Sequence, residues 1–249
     1  MKLTSRSIHK LLITLFVAVA SVSCSVAPTE PVAVPSNARF VVINNIGDSA
    51  SNSYWGTTSK SSFSSSRPVE WGVADYVNNG IKTRVGQNSA FSVVVLDEPD
   101  IAESLSENLV TNFDKLTPDA VTAINTLSEK HEADVLLLVD EGRDFLVGDF
   151  YSYGYGAHHV SGTSFVHSNL MIYAIDLRQP ELFFPTSLSR TAIQPMLRSS
   201  EWPTDDVFDS EAETVKLDDD VRDRILSLTD ETLDWYFSEL PVNPPLRTE

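Results

Sequence analysis

The stretch that decides the fold is Ala133-Asp134-Val135-Leu136-Leu137-Leu138-Val139, the most apolar strand-like segment of this 249-residue chain. Its apolar residues follow one another without alternation, which is the pattern of a strand buried on both faces. A helix is predicted directly before it, because Thr117, Pro118 and Asp119 supply a capping hydroxyl, a proline at the first helical position and an acid at the positive end of the helix dipole. We therefore place residues 133–139 at the centre of a sheet, after a helix that ends near Glu132.

Further strands and helices are predicted on both sides of this segment. Runs of β-branched and aromatic residues between turn signals predict strands at residues 39–44, 90–96, 163–176 and 182–193. Apolar residues at three- and four-residue spacing predict helices at residues 68–85 and 218–240, and a short acidic helix is predicted at residues 100–113. This order predicts an α/β (α+β) fold: a single mixed sheet that contains an antiparallel meander, with helices packed on one or both faces.

The predicted core combines residues from the strands with residues from the helices. Its strand members are Val41, Ile43, Val93, Val95, Val135, Leu137 and Val139. Its helix members are Trp71, Ile124 and Leu228. The hydrophobic content of 42% is that of a globular chain. Because the chain has one cysteine and therefore no internal disulfide, packing alone must hold this core.

Residues 1–23 have the composition of a secretory signal peptide. Three cations and no acid precede an apolar run at residues 11–20, which is too short to remain as a membrane helix. Cys24, the only cysteine, follows directly, and Ser21-Val22-Ser23-Cys24 resembles the lipobox of bacterial lipoproteins, in which this thiol is acylated. Lipidation at Cys24 is therefore predicted. The alternative is ordinary cleavage after Ala20 or Ser23, which would leave Cys24 as a free thiol near a flexible end.

The rest of the chain divides by composition. Residues 24–37 contain three prolines and no periodicity, so they are predicted to be a tether between the lipid and the domain. Residues 38–241 are predicted to form the α/β domain, and residues 242–249 a disordered tail. The residue after Cys24 is Ser25 and not an acid. This resembles the sequence that sorts lipoproteins to the outer membrane in Gram-negative bacteria. The predicted location is the outer membrane, facing the periplasm; a soluble periplasmic or secreted protein is the alternative.

The charge of the chain limits its partners. The sequence has 18 Lys and Arg against 35 Asp and Glu, and loss of the three leader cations changes the balance to 15 − 35 = −20. A field of this sign repels phosphate backbones, so nucleic acid is not an expected partner. It also repels anionic lipid, which leaves the N-terminal anchor as the membrane attachment. The negative charge serves either solubility or attraction of a cationic partner.

Several segments resemble the TolB amino-terminal and CsgG-type domains. They are Asn44-Asn45 at a strand end, Asn88–Val94, Lys130–Leu137, Asn169–Leu177 and Glu181–Phe184. Lipoprotein activators of penicillin-binding proteins carry the same unit on a similar tether. The resemblance covers residues 38–240. It implies a TolB-N/CsgG-like domain in an envelope protein that binds other envelope proteins and assembles with them, without catalysis.

Gly47-Asp48-Ser49 resembles the opening block of GDS-type serine hydrolases, in which the serine is the nucleophile. That chemistry needs a histidine as general base, supplied in the family by an Asp-x-x-His near the C-terminus. The last histidine here is His167, and no histidine has an aspartate three positions before it. No catalytic residue is therefore predicted. An exported serine hydrolase using Ser49 is the alternative function.

Three histidines lie close together in the sequence. His158, His159 and His167 could in principle hold zinc. However, adjacent residues on an extended segment point to opposite sides, so His158 and His159 cannot both face one ion. They are predicted to be loop or strand-surface histidines. No metal and no cofactor is predicted.

Two segments mix aromatic residues with small ones. Residues 49–66 hold nine serines and are predicted to be a long surface loop, and a Gly- and Tyr-rich connection follows at residues 148–162. Tyrosine between glycines and serines is typical of binding loops. The predicted partner-binding residues are Trp55, Tyr151, Tyr153 and Tyr155. The alternative is that these rings lie on their own domain.

Overall fold

A computed structural model of the chain describes residues 34–55, 63–98, 101, 105, 110–111, 115–147, 150–160, 163–178, 196–202, 208–209, 214–215 and 217–239. The strands in these ranges are β1 (Arg39–Asn44), β2 (Ser49–Trp55), β3 (Phe63–Pro68), β4 (Ser92–Leu96), β5 (Val110–Thr111), β6 (Lys115–Leu116), β7 (Val135–Glu141), β8 (Arg143–Val147), β9 (Phe150–Tyr153), β10 (Tyr155–Val160), β11 (Thr163–Asp176), β12 (Met196–Trp202), β13 (Phe208–Asp209) and β14 (Thr214–Val215). The helices are α1 (Val73–Val85), α2 (Pro118–His131) and α3 (Asp219–Glu239). The predicted signal peptide, Cys24, most of the predicted helix at 100–113, the predicted strand at 182–193 and the C-terminal tail lie outside the described residues.

The described part of the chain forms one main sheet of eight strands in mixed orientation. Hydrogen-bonded neighbours run β3-β2-β10-β11-β7-β1-β4, and β12 also pairs with β11. β1 is parallel to β4 and to β7, whereas β11 is antiparallel to β7, β10 and β12. The predicted α/β fold with a single mixed sheet is confirmed. β7, the segment expected at the centre, lies between β1 and β11.

Asn169 of β11 marks a junction within the sheet. Its carbonyl oxygen accepts a hydrogen bond from the Gly142 nitrogen at 2.8 Å, and its nitrogen donates to the Gly154 carbonyl oxygen at 2.7 Å. β7 and β10 therefore meet end to end along β11, and the residues between them leave the sheet as the antiparallel β8–β9 hairpin. We call the part formed by β3, β2, β10, β12 and the first half of β11 the outer half of the sheet.

The apolar core lies on both faces of the sheet. Phe40, Val42 and Leu137 belong to a cluster with α1 and α3, whereas Val41 and Leu136 belong to a second cluster with α2. The uninterrupted apolar run of β7 thus divides its side chains between two helix layers, as expected of a strand buried on both sides. Of the predicted core residues, Val41, Ile43, Ile124, Val135, Leu137, Val139 and Leu228 are buried, and Trp71, Val93 and Val95 pack against the core while partly buried.

The core also begins earlier in the chain than predicted. Val34, placed in the tether from sequence, is 4% exposed and packs in the cluster of α1 and α3. The Ala38 nitrogen donates to the Pro35 carbonyl oxygen at 3.1 Å, which closes a turn before β1. The apolar side chain of Val34 is therefore buried by a turn that its proline-rich surroundings did not suggest.

The helix starts follow the capping chemistry of the sequence. The Thr117 hydroxyl accepts from the Ala120 nitrogen at 3.1 Å, and the Asp218 carboxylate accepts from the Val221 nitrogen at 3.1 Å, so α2 and α3 begin where predicted. The predicted start of α1 at Pro68 is wrong, because Pro68 ends β3 and pairs with Ser49. None of the helices in the described part of the chain combines the length and hydrophobicity needed to cross a membrane.

The serine-rich segment is not the long loop that its composition predicted. Residues 49–55 and 63–68 form the antiparallel pair β2 and β3, in register from Ser49 opposite Pro68 to Tyr54 opposite Phe63. Strand pairing uses backbone groups, so serine side chains do not prevent it. Ser53 and Ser64 even join their hydroxyls across the pair at 3.0 Å. The Gly- and Tyr-rich connection likewise contains two strands, β9 and β10.

Candidate functional site

The interior of the outer half is polar, unlike the aliphatic core around β7. The buried polar side chains within the described ranges are Asn52, Ser53, Ser152, His158, His159, Ser164, His167, Ser168, Asn169, Thr229 and Thr232. All but the two α3 threonines lie on β2, β9, β10 or β11. Buried polar groups must find partners, and a satisfied network fixes one arrangement of the chain. Among the described residues, the buried polar side chains are therefore concentrated in the outer half and the adjoining β9.

Ser51, Gly156 and His167 lie opposite one another on three adjacent strands. The Ser51 hydroxyl is 2.9 Å from His167 Nε2, so the two side chains meet across the backbone of Gly156. A Cβ atom at position 156 would lie 2.0 Å from the Ser51 carbonyl oxygen and 2.6 Å from its hydroxyl oxygen. Glycine is required here by this close approach, and without it the serine and the histidine could not touch.

The chain of contacts continues from His167 to His158. Their Nδ1 atoms are 3.2 Å apart in a buried position, so one ring donates and the other accepts. The ring of His158 also stacks on Phe165, with centroids 5.0 Å apart. Ser51, His167 and His158 therefore form a continuous network through β2, β11 and β10.

Burial sets the protonation state of this network. It lowers the pKa of His158 from 6.5 to about 4, with a further contribution from the nearby His159. It also lowers the pKa of His167 to about 3, with a further contribution from His158. Both rings are neutral at neutral pH. A serine beside a histidine is the arrangement of a nucleophile and its base. However, an imidazole with a pKa of about 3 is a weak base, and the group on its other nitrogen is a neutral imidazole where catalytic triads place a carboxylate.

Ser49, the candidate nucleophile of the alternative function, is not the serine that meets a histidine. It begins β2 opposite Pro68, two residues before Ser51. Among the described residues, no histidine forms a hydrogen bond with the Ser49 hydroxyl. The general base that a GDS-type serine hydrolase requires is therefore not found beside Ser49 among the described residues.

The histidines are buried, not on the surface as predicted. His158, His159 and His167 are 4%, 6% and 1% exposed, because β10 is paired on both edges and covered on both faces. His158 and His159 do point to opposite faces: His159 Nδ1 is 3.0 Å from the Ser164 hydroxyl, and its ring stacks on Tyr54. Over the described ranges, no three His, Cys, Asp or Glu side chains come close enough together to hold a metal ion.

The prediction that Tyr155 contacts a partner is wrong, because its side chain is buried. It is 1% exposed, its ring lies 6.2 Å from that of Trp71, and its hydroxyl donates to the Gly47 carbonyl oxygen at 2.8 Å. Burial raises the pKa of this hydroxyl to about 12. Tyr155 begins β10 in the sheet, and its side chain therefore belongs to the core cluster of α1 and α3.

Tyr153 differs from Tyr155, since it is 46% exposed and is the one exposed large hydrophobic residue among those whose side-chain burial the structure describes. Of the other two predicted contact residues, Tyr151 lies in β9 opposite Phe145, and Trp55 ends β2 opposite Val160. Tyr151 and Tyr153 therefore share the β8–β9 hairpin, and Trp55 lies on a strand beside β10. Of the four predicted residues, the structure therefore places Trp55 and Tyr155 in the outer half, and Tyr151 and the exposed Tyr153 on the adjoining hairpin.

The base of the hairpin holds Tyr153 in place. Its neighbour Ser152 is buried and accepts a hydrogen bond from Asn169 Nδ2 at 2.9 Å. Its other neighbour, Gly154, has φ +54°, and a Cβ atom there would lie 2.8 Å from the Glu141 carboxyl carbon. Glu141 in turn accepts from the Gly47 nitrogen at 3.2 Å, and burial raises its pKa. Sequence reasoning missed these supporting residues, although the glycines at 142 and 154 flank the hairpin and signal its base.

The fold and this site define a class: a single-sheet α/β domain with a polar outer half and an exposed tyrosine on a fixed hairpin. No protein-family model and no curated protein matches the chain. Solved structures with a similar trace include the hypothetical protein CT253 from Chlamydia trachomatis, with 9% identity over 81% of this chain and 93% of that chain and a TM-score of 0.32.

Two further structures are similar in the same sense. Lipoprotein GNA1162 from Neisseria meningitidis has 9% identity over 79% of this chain and 98% of that chain, with a TM-score of 0.27. The LpoB C-terminal domain from Salmonella enterica has 11% identity over 68% of this chain and 87% of that chain, with a TM-score of 0.22. These low scores describe a distant likeness, which identifies neither a partner nor an activity.

Proposed function

We propose that this chain is a lipid-anchored protein of the cell envelope that acts by protein–protein contact, in an assembly or accessory role without catalysis. The observation that carries the proposal is the exposure of Tyr153 on a hairpin whose neighbouring residues are buried. A tyrosine offers a large contact area at low entropic cost, and residues of this type dominate the energy of binding surfaces. The partner is an envelope protein that contacts the β8–β9 hairpin.

The position of Tyr153 supports contact more than a packing role. Ser152 and Gly154 on either side are buried and hydrogen-bonded, so the backbone at residue 153 is already ordered before a partner binds. Binding then costs little further backbone entropy, which favours affinity. A mobile loop with the same composition would lose part of its contact energy in becoming ordered.

The membrane attachment in this proposal is the acylated thiol of Cys24. The leader before it and the prolines after it have the order of a lipoprotein precursor. The net charge of 15 − 35 = −20 without the leader opposes direct adsorption on an anionic membrane, so the anchor would supply the attachment. The proposed location is the outer membrane, with the domain in the periplasm.

The absence of catalysis is also a proposal, and the Ser51–His167 contact is its sharpest test. Both histidines of the network are neutral and buried, and the network joins three adjacent strands. Its proposed role is to hold β2, β10 and β11 in one register. Ser51→Ala should then lower the free energy of unfolding. The hydrolytic activity of the envelope fraction should be the same with the Ser51→Ala variant as with the wild type.

Site-specific photo-crosslinking in intact cells tests the proposed contact. A photoreactive amino acid at Tyr153 should give a discrete adduct with another envelope protein. The matched control carries the same amino acid at Glu129, an exposed position on α2, and should give none. A correctly exported protein that gives no adduct at residue 153, or the same adducts at both positions, would overturn the proposal.

A further inference from the structure

β3 is an edge strand whose protective residues are confined to its C-terminal end. It is hydrogen-bonded to β2 on one side, and no described strand pairs with its other edge. The side chains of residues 64–68 are exposed. Sheet edges are normally protected by charges, prolines or bulges. Here the register with β2 is regular over six pairs, and the only such residues, Arg67 and Pro68, stand at the end of the strand.

The charge around β3 differs from that of the rest of the chain. The chain has 35 acidic residues among 249, yet residues 49–68 contain none and include the cations Lys60 and Arg67. Two copies that each carry a net charge of 15 − 35 = −20 without the leader repel one another across most of their surfaces. The pair of β2 and β3 is a part of the molecule that two copies can bring together without opposing carboxylates.

We infer that β3 pairs with β3 of a second copy of this chain, antiparallel about a two-fold axis at Ser65. The run Ser64-Ser65-Ser66 is self-complementary in this arrangement, because Ser64 faces the partner's Ser66 and Ser65 faces the partner's Ser65. A two-fold contact uses the same patch on both copies, which is the commonest form of a homodimer. The two sheets would join into one. Because one six-residue strand buries little area, the dimer is weak and reversible.

The test uses the exported chain with Cys24→Ser, so that an added cysteine is the only one. Sedimentation should show a dimer whose share rises with protein concentration and with salt, because salt screens the repulsion between the acidic copies. Ser65→Cys should oxidise to a disulfide-linked dimer about tenfold faster than a matched control, because pairing raises the local thiol concentration. The control is Ser92→Cys, at the exposed start of β4 on another edge of the sheet.

A pair of charge variants tests the register. Ser64→Asp with Ser66→Asp places acid opposite acid and should give a monomer, whereas Ser64→Asp with Ser66→Lys places acid opposite base and should restore the dimer. Both side chains are exposed, and circular dichroism should show that each variant is folded.

Three outcomes would overturn the inference. They are a wild-type monomer at all concentrations, equal oxidation of Ser65→Cys and Ser92→Cys, and a dimer that persists in the double aspartate variant. None of these measurements involves an envelope partner or the β8–β9 hairpin. Their failure would therefore leave the proposed function standing, and a missing adduct at Tyr153 would leave this inference standing.

Discussion

Ser51 and His167 touch at 2.9 Å across Gly156, a glycine that belongs to the strand between them. Gly156→Ala should remove this arrangement, because the added Cβ would collide with the Ser51 backbone oxygen. We expect a loss of about 3 kcal/mol in the free energy of unfolding, or a chain that does not fold. Denaturant unfolding measures the effect.

Gly72→Ala is the matched control for this substitution. Gly72 has φ +62°, and nothing lies within 4 Å of the position of its Cβ, so only backbone strain is tested there. Its expected cost is about 1–2 kcal/mol. A Gly156→Ala protein as stable as Gly72→Ala would show that β2 can move away from β10, and that the contact is not rigid.

The buried histidine pair should make stability fall as pH falls. The folded protein keeps His158 neutral down to about pH 4 and His167 to about pH 3, whereas both protonate near 6.5 when exposed. Between these values the unfolded state binds more protons, so the free energy of unfolding should drop by about 1.4 kcal/mol per pH unit for each histidine. The pH dependence of urea unfolding between pH 7.5 and 5 checks this.

His158→Gln with His167→Gln removes two of the titrating groups and should make that pH dependence shallower, while His159, whose pKa is also lowered by burial, remains. The variant should also be less stable at pH 7.5, because it breaks the network. An unchanged slope would mean that the two rings are protonated in the folded protein and that the network is open to water.

Two tyrosines separated by one glycine should behave in opposite ways. Tyr155→Ser empties a core position and should cost about 3–5 kcal/mol, whereas Tyr153→Ser should change stability by less than about 0.5 kcal/mol. Thermal and denaturant unfolding of both variants measure the difference. Equal losses would place Tyr153 in the core and remove the basis of the proposed contact surface.

Leu137→Ala tests the central position of β7. Leu137 is fully buried beneath α1 and α3, so truncation should cost about 2–5 kcal/mol. A loss below about 0.5 kcal/mol would show that the strand is peripheral. Val121→Ala on α2, where the side chain is only partly buried, is the milder comparison.

The lipid anchor is tested by intact mass. The mature wild-type protein should be heavier than Cys24→Ala by a diacylglyceryl unit and should sediment with outer membranes. Cys24→Ala should appear in the soluble periplasmic fraction. An unmodified wild-type protein in that fraction would contradict lipidation and favour ordinary cleavage.

Local chemistry predicted the elements whose signals lie within a few residues. The uninterrupted run of β7 indicated a doubly buried strand, and the Thr117 hydroxyl indicated the start of α2; both are confirmed. The serines of β2 and β3 gave no such signal, because their pairing depends on backbone partners and not on an apolar period. Composition alone therefore predicted a loop where the structure has a hairpin.

The candidate site depended on register, which single residues do not disclose. The sequence does not distinguish Tyr151, Tyr153 and Tyr155. Gly154 separates β9, which pairs with β8, from β10, which pairs with β11, so Tyr153 is exposed while Tyr155 is buried. His158 and His167 meet only because β10 and β11 pair with Gly156 opposite His167. The alternation within β10 was predicted correctly, whereas the burial of both of its faces could not be deduced without knowing its neighbours.

The 14-residue length of β11 has a mechanical consequence. One half of this strand is hydrogen-bonded to β10 and the other half to β7, so both ends of the hairpin are tied to the same continuous backbone. A force on the hairpin is therefore passed to both ladders of hydrogen bonds, which meet on the β11 backbone at Asn169. The surface that carries Tyr153 can therefore transmit force directly into the core of the domain.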